Sequence, residues 1–460
     1  MAMAQPRVII VGAGPAGARA AETLVGHGLR PVVIDEAPKA GGQIYRQQPD
    51  GFQRSARSLY GFEAGKAQHL HATFNGLIPN IDYRPRTLAW NAQNGILFTV
   101  SDNKIEKLPF DVLILATGAT DRMYPVAGWT LPGVYTLGGA QIALKHQGCS
   151  VGESVVFAGS SPLLYLVAYQ YAKAGAHVVA VLDTTPFAAK LDALGSMAAA
   201  PMTLAKGLYY MAALKRHGVS LQHGVTPIAI EGDDHVTAIR YRTAKGVETS
   251  LACRAVACGY GIKPEAQLAE IAGSTFRYAP EFRQWLPDCD SDGRTKPGLY
   301  LAGDCARIGG ADAAEASGRL AALAFVADYN LASVAPDDIR RLRRTVQRMS
   351  RFQAGQAKAF QAPLEAMAAL PDTTVVCRCE KITAGEIRRV TGEPLRAVEM
   401  NRVKAFCRAG MGRCQGRFCG LAAAEIVAAK LGTEPGAVGR LRAAGPVKPL
   451  RFDAAESEQV

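Results

Sequence analysis

Four cysteines near the carboxyl end carry the densest chemistry in the chain. Cys377 and Cys379 lie in Val-Val-Cys-Arg-Cys-Glu, and Cys414 and Cys419 in Gly-Arg-Cys-Gln-Gly-Arg-Phe-Cys-Gly. Two tight pairs separated by 34 residues supply four thiolates, a set able to hold an iron–sulfur cluster. A structural zinc site, a disulfide framework and chance clustering compete with that reading. C-x-C with C-x4-C is not the C-x2-C spacing of most zinc ribbons, and a reducing compartment disfavours disulfides. Gly410, Gly412, Gly416 and Gly420 surround the second pair and let backbone amides bend close to the sulfurs. The spacing favours a 2Fe–2S cluster over zinc.

At the other end, Arg-Val-Ile-Ile-Val-Gly-Ala-Gly-Pro-Ala-Gly reads as a buried strand turning into a helix through G-x-G-x-x-G. Gly12 permits the tight turn, Gly14 lets a pyrophosphate approach the backbone, and Gly17 lets helix and strand pack closely. With Pro15 and Ala16 they form a loop whose helical amides face a phosphate. Glu36 ends the next strand 19 residues after Gly17 and is the candidate ribose ligand, with Asp35 competing. The spacing from Glu36 to Gly41-Gly42 matches flavoproteins with two nucleotide units. Thr117 and Gly118 lie in Asp-Val-Leu-Ile-Leu-Ala-Thr-Gly, which resembles the ATG motif of that class. Gly303 and Asp304 lie in Gly-Leu-Tyr-Leu-Ala-Gly-Asp, which resembles its late GD motif, where Asp304 would bond the ribityl or pyrophosphate region. Four motifs in this order predict FAD. Gly42, Gln43 and Arg46, in Gly-Gly-Gln-Ile-Tyr-Arg, are further candidate flavin contacts.

A second strand–turn–helix, Ser-Val-Val-Phe-Ala-Gly-Ser-Ser-Pro-Leu-Leu, carries a damaged fingerprint. Gly159 keeps the turn, but Ser161 and Leu164 replace the glycines for phosphate approach and close packing. Ser161 is expected to cap the helix ahead of Pro162. The fold can outlast the function, so productive NAD(P)H binding is not expected.

Absences narrow the reading. No C-x-x-C serves a disulfide reductase; Cys149, Cys253, Cys258, Cys289, Cys305 and Cys407 are scattered, and Cys407 reads as packing. The histidines show no metal-ligand spacing, and no Ser/His/Asp motif is evident. The formal charge of +12 invites a nucleic-acid reading, but no such fold motif occurs. Much of that charge lies in 338–351, where Ile339, Leu342, Val346 and Met349 give helical spacing; a solvated face or a dock for an acidic partner follows. No apolar run reaches the roughly 20 residues of a membrane span. The start runs straight into a strand and leaves no room for a cleavable signal, so a cytoplasmic setting is expected.

These sites need elements to hold them. A chain of 460 residues with 48% hydrophobic content can build two or three cores. The expected fold is α/β: an FAD unit from 1–125 and 285–335, an inserted NAD(P)-like unit over 126–284, a basic helical connector over 336–371, a small helical cluster unit over 372–430, and a tail over 431–460. A return strand is expected near Ala255.

Cys-Arg-Cys-Glu-Lys-Ile-Thr with Arg-Ala-Gly-Met-Gly-Arg-Cys-Gln-Gly-Arg-Phe-Cys resembles the cluster domain related to bacterioferritin-associated ferredoxin. More closely, it resembles the carboxyl-terminal segment of the alpha subunits of opine oxidases, D-hydroxyproline dehydrogenases and the flavoproteins of hydrogen cyanide synthase. That resemblance implies a 2Fe–2S cluster on Cys377, Cys379, Cys414 and Cys419 and a place in a hetero-oligomeric dehydrogenase. It implies substrate oxidation in a beta subunit similar to D-amino-acid oxidases, an optional small ferredoxin-like gamma subunit, and a quinone or similar acceptor that could bring the complex to a membrane. The expected reaction is oxidation of the C–N bond of D-hydroxyproline or an opine, with glycine as an alternative. FMN at a subunit interface and an adenine nucleotide in the second unit are further implications. A self-sufficient NAD(P)H-dependent flavin reductase and a non-catalytic iron-handling scaffold are the rival readings.

Overall fold

Val8–Val11, Val112–Leu115 and Leu299–Leu301 are apolar and buried at every position, as strands covered on both faces must be. In the computed structural model, which describes residues 5–52 and 54–456, they sit at the centre of a six-stranded sheet. Its order is Arg294–Lys296, Leu299–Leu301, Val112–Leu115, Val8–Val11, Val32–Ile34, Asp82–Arg84, parallel except at the Arg294–Lys296 edge. The helix Pro15–Gly26 leaves the central strand with a face of small residues, Ala16, Gly17, Ala18, Ala20 and Ala21, all buried. That face accepts the helix Ala311–Asp328 so closely that a Cβ on Gly318 would stand 2.0 Å from the Ala16 carbonyl oxygen. The two ends of the chain's first unit are thereby locked together.

The inserted unit is a five-stranded parallel sheet, Ser220–His223, His177–Asp183, Ser154–Gly159, Ala255–Gly259, Val134–Thr136. Ser161 caps its helix Pro162–Lys173 by accepting the Leu163 amide, and Leu164 is fully buried in the core. A three-stranded antiparallel sheet, Thr226–Glu231, Ala238–Arg242 and Glu248–Ala252, was not anticipated from the sequence. Two short strands, Ala119–Asp121 and Ile262–Pro264, pair antiparallel where the chain crosses between the units. From Ala266 onward the chain packs again with Ile9, Val11 and Leu115 of the first sheet, ahead of the division expected near 284.

The connector is a long helix, Pro336–Ala359. The cluster unit follows: a hairpin of Val375–Cys377 with Ile382–Thr383, then helices Ala384–Thr391, Met400–Cys407 and Gly420–Leu431 around their own core. A capping box of Thr383 and Glu386 starts the first of these helices. The tail returns to the first unit, where Ala455–Glu456 pairs with Lys104–Pro109. This is the α/β architecture of two nucleotide units with a small helical carboxyl-terminal unit that the motifs predict. Among the described residues no helix is long and apolar enough to cross a membrane.

Candidate functional site

The three glycines of the first turn differ in what they tolerate. A Cβ on Gly12, whose φ is +107°, would stand 2.3 Å from the Ala116 carbonyl oxygen, and one on Gly17 would stand 1.7 Å from that of Gly12. Backbone packing alone forces both to be glycine. Gly14 is different: its Cβ would meet only the Gly42 backbone, nearest at the Cα, 3.5 Å away, an ordinary contact. Nothing in the protein itself needs a glycine there, which fits a position kept bare for a ligand's phosphates.

The other motif residues gather at the same carboxyl end of the sheet. Gly41 donates its amide to the Ala13 carbonyl, laying Gly42 over Gly14. Gly303 lies against Ala16, where a Cβ would be only 2.8 Å away. Asp304 accepts the Gly309 and Gly310 amides on Oδ1, and its other oxygen has no partner among the described residues. Burial raises the pKa of that carboxyl. Of the two acidic residues after the second strand, Asp35 is spent on structure: it accepts the Ala13 amide at 2.6 Å and the Ala37 amide at 2.7 Å. Glu36 is about half exposed and, among the described residues, pairs only with Lys448 in the tail, so its carboxylate is the less committed of the two. Gln43 is exposed and accepts a hydrogen bond from Arg46 at 2.7 Å, while the Arg46 Nε is buried without a partner among the described residues. These residues fit FAD: a bare glycine turn at Gly12, Gly14, Pro15, Ala16 and Gly17 that could take a pyrophosphate, with the Glu36 and Asp304 carboxylates at the same end of the sheet.

The cluster cysteines converge as two pairs, Cys377 with Cys419 and Cys379 with Cys414. The Cys377 thiol is drawn down to about 6 by the hydrogen bond from Cys419, helped by the amides of Gly410, Glu380 and Cys379 and opposed by burial. Cys379 is pushed up, first by burial. Gly412 is needed here, since a Cβ would come within 2.3 Å of the Cys379 Cβ. Among the described residues no three His, Cys, Asp or Glu side chains converge tightly enough to hold a single metal ion. Four thiols in one place can supply the two thiolates that each iron of a dinuclear cluster takes. Cys407 stands apart, buried, with its thiol on the Val403 carbonyl.

A polar bridge joins the two sites. Thr117, in the ATG-like turn, donates its hydroxyl to the Glu265 carbonyl at 2.6 Å. The Glu265 carboxylate takes a bidentate pair from Arg417, at 2.8 and 2.7 Å. Arg417 also donates to the carbonyls of Cys414 and Val447, and Gln267 donates to the Gln415 carbonyl at 2.7 Å. The ion pair is largely shielded from water, with side chains 11% and 17% exposed. On the far side, the Trp129 indole donates to the Val375 carbonyl, and Phe418 packs into the core of the inserted unit. The cluster loop is thus fixed to the crossing strands between the two nucleotide units, next to the turn that carries Thr117 and Gly118.

In the second nucleotide unit the acidic residue at the strand end is already partnered by the chain itself. Asp183, at the end of His177–Asp183, is fully buried and accepts from the Tyr165 hydroxyl at 2.6 Å and the Thr185 amide at 2.8 Å. The Lys190 ammonium lies 2.9 Å from the same carboxylate and 5.1 Å from the centre of the Phe360 ring. A ribose diol would find that carboxylate already satisfied. Sequence patterns missed this set and also Glu265, Arg417 and Lys145. Arg417 lies inside the second cysteine motif, which was the available signal. Lys145 is buried beside Tyr60, whose hydroxyl donates to the Arg46 carbonyl; its ammonium has no acceptor among the described residues, and burial lowers it to about 8.

The chain is similar to known proteins over nearly its whole length. Residues 6–318 match the family model described as pyridine nucleotide-disulphide oxidoreductase, and residues 375–429 match the BFD-like [2Fe-2S] binding domain. An opine oxidase subunit of Agrobacterium tumefaciens (strain Ach5) is 39% identical, over 97% of this chain and 90% of that protein. Hydrogen cyanide synthase subunit HcnB of Pseudomonas protegens is 30% identical, over 97% of this chain and 96% of that one. Among solved structures, the L-proline dehydrogenase from P. horikoshii shares the fold with a TM-score of 0.70 at 18% identity, over 98% of this chain and 79% of that chain.

Proposed function

The chain belongs to the pyridine nucleotide-disulphide oxidoreductase family and, within it, to the group that includes the opine oxidase subunit of Agrobacterium tumefaciens, and on that footing we propose that it is the electron-relaying subunit of a hetero-oligomeric dehydrogenase. The class of the machinery is plain: a flavoprotein oxidoreductase unit with a 2Fe–2S-type domain at its carboxyl end. The substrate in this proposal is an imino or secondary amino acid, an opine or D-hydroxyproline, oxidised at its C–N bond in a partner similar to D-amino-acid oxidases. A quinone-type molecule is the final acceptor. The 39% identity to a subunit of an opine oxidase, against 30% to one of a hydrogen cyanide synthase, favours a secondary amine over glycine.

The observation that carries the relay is the bridge from Thr117 through Glu265 and Arg417 to the Cys414 carbonyl. When bound, FAD would take electrons two at a time and the cluster would pass them singly. The chain's own residues do the rest by position. In this reading the glycine turn and Asp304 hold the nucleotide, and the Arg417–Glu265 pair holds the cluster loop beside it. The sequence motifs pair no substrate carboxylate clamp with a general base, and the likeness to one subunit of an opine oxidase assigns substrate chemistry to the partner in this proposal.

Dye reduction by the purified chain, alone and co-expressed with a flavoprotein similar to D-amino-acid oxidases, tests this. Activity with an opine or D-hydroxyproline is expected only in the co-expressed complex. Fast bleaching of the isolated chain by NADH would instead support an NAD(P)H-driven reductase, which the occupied Asp183 carboxylate argues against.

A further inference from the structure

Six of the large apolar side chains most exposed on this protein, Phe187, Leu191, Leu194, Met202, Leu208 and Tyr209, fall in one stretch of 23 residues. They lie on three successive helices inserted into the second unit, Phe187–Asp192, Leu194–Met197 and Pro201–Arg216. The last is poorly covered for its length: of its 16 residues only Ala213 and Leu214 are buried, and Met202 is 71% exposed. Phe62 of the first unit, itself exposed, extends the face by standing edge-on to Tyr209 at 5.1 Å between ring centres, with Tyr169 and Tyr210 behind. Scattered surface leucines need no explanation, but six exposed large apolar side chains within 23 residues, joined by an aromatic group, do.

A basic ridge runs along this face. Arg344, Arg348 and Arg351 lie on one side of the connector helix at spacings of four and three, and none has a carboxylate partner among the described residues. Arg341, one turn earlier, already pairs with Asp338. The next position on that side after Arg351 is Gly355, which packs directly on Ser196 and Met197. The arginines thus sit on the helix that packs against Phe187–Asp192 and Leu194–Met197.

We propose that this face, the helices from Phe187 to Arg216 edged by Arg344, Arg348 and Arg351, is the dock for the oxidising partner, which meets it with an apolar centre and a row of carboxylates. The proposal rests on the reading that the chain works in a hetero-oligomer, and it names the surface. Three features select a protein over other occupants. The face is rich in tyrosine and phenylalanine, as interface centres are. Its unpaired charges are arginines, which bind carboxylates in a planar fork. A chain of formal charge +12 also draws an acidic partner from a distance.

The test is co-expression of the chain with a flavoprotein similar to D-amino-acid oxidases from the same source, followed by affinity capture and titration of the separated proteins. Met202→Asp/Leu208→Asp should weaken the complex by at least about thirtyfold, the scale of interface hot spots. Arg344→Glu/Arg348→Glu should slow association and flatten its salt dependence. Val247→Asp, on an equally exposed apolar residue beside the antiparallel sheet, should change nothing. FAD content and thermal unfolding of each variant establish that it is folded. Failure of the unmodified chain to bind any such flavoprotein overturns the hetero-oligomer reading itself. Binding by the unmodified chain that persists in Met202→Asp/Leu208→Asp overturns only the placement of the dock. Self-association, or sedimentation with phosphatidylglycerol vesicles, that this variant abolishes while the complex stays intact also overturns it, assigning the face to a second copy or to a membrane.

Discussion

Removing one partner of the Arg417–Glu265 pair should uncouple the cluster loop from the flavin crevice. With side chains only 11% and 17% exposed, either survivor would be left as a shielded charge without its counterion. Breaking such a pair costs about 3–5 kcal/mol. Glu265→Ala should reach that range because Arg417 keeps only the Cys414 and Val447 carbonyls, which cannot neutralise it. Arg417→Met should cost at least as much, since it also strips those two carbonyls of a donor. The double variant Glu265→Leu/Arg417→Met removes both charges, and its loss should fall short of the sum of the singles by about 3 kcal/mol. Urea unfolding followed through cluster absorbance gives these values. Stopped-flow reduction on the same proteins should show slower passage of electrons from flavin to cluster in both singles. Single losses below about 1 kcal/mol, the range of an exposed ion pair, together with unchanged transfer rates, would refute the bridge.

The Gly14 site separates a ligand effect from a folding effect. Gly14→Val should lose FAD while the protein stays folded, because a Cβ there comes no closer than 3.5 Å to the Gly42 Cα, whereas Gly17→Ala, with 1.7 Å to a carbonyl oxygen, should not fold; flavin content and circular dichroism of the two read this out. Cys379→Ser should abolish or strongly shift the cluster spectrum and Cys407→Ser should leave it intact, checked by iron analysis and visible absorbance. Lys145→Met should stabilise the protein. Burial lowers this lysine from 10.5 to about 8, so the unfolded chain binds the extra proton between those values. The cost is therefore complete below about pH 8, near 3 kcal/mol by the size of that shift, and is shed as pH rises toward 10.5. Urea midpoints at pH 7 and pH 10 check it, and a variant no more stable than the parent at pH 7 counts against it.

What the sequence made legible was local. The glycine turn, the late Gly303-Asp304 pair and the two cysteine motifs are each a few residues long, and their chemistry dictates their spacing. The damage to the second fingerprint was equally readable, because Ser161 and Leu164 replace residues whose absence of side chain is the function. The links between units were not legible. Arg417 and Glu265 are 152 residues apart, and Lys448 reaches Glu36 across 412. No periodicity relates such partners; only the fold brings them together. Asp183 shows the same limit. Asp183 ends a strand, but Tyr165 and Lys190, which satisfy it, come from helices whose docking the sequence does not state. Buried Lys145 left no signal, since a lysine is expected to be exposed wherever the pattern is silent.

Rapid-freeze electron paramagnetic resonance of the co-expressed complex mixed with substrate tests the relay most directly. The account predicts a reduced 2Fe–2S signal within one turnover in the complex, none from the isolated chain with the same substrate, and none from a complex carrying Cys379→Ser. Robust substrate turnover by the isolated chain, or turnover in the complex that never reduces the cluster, would contradict it.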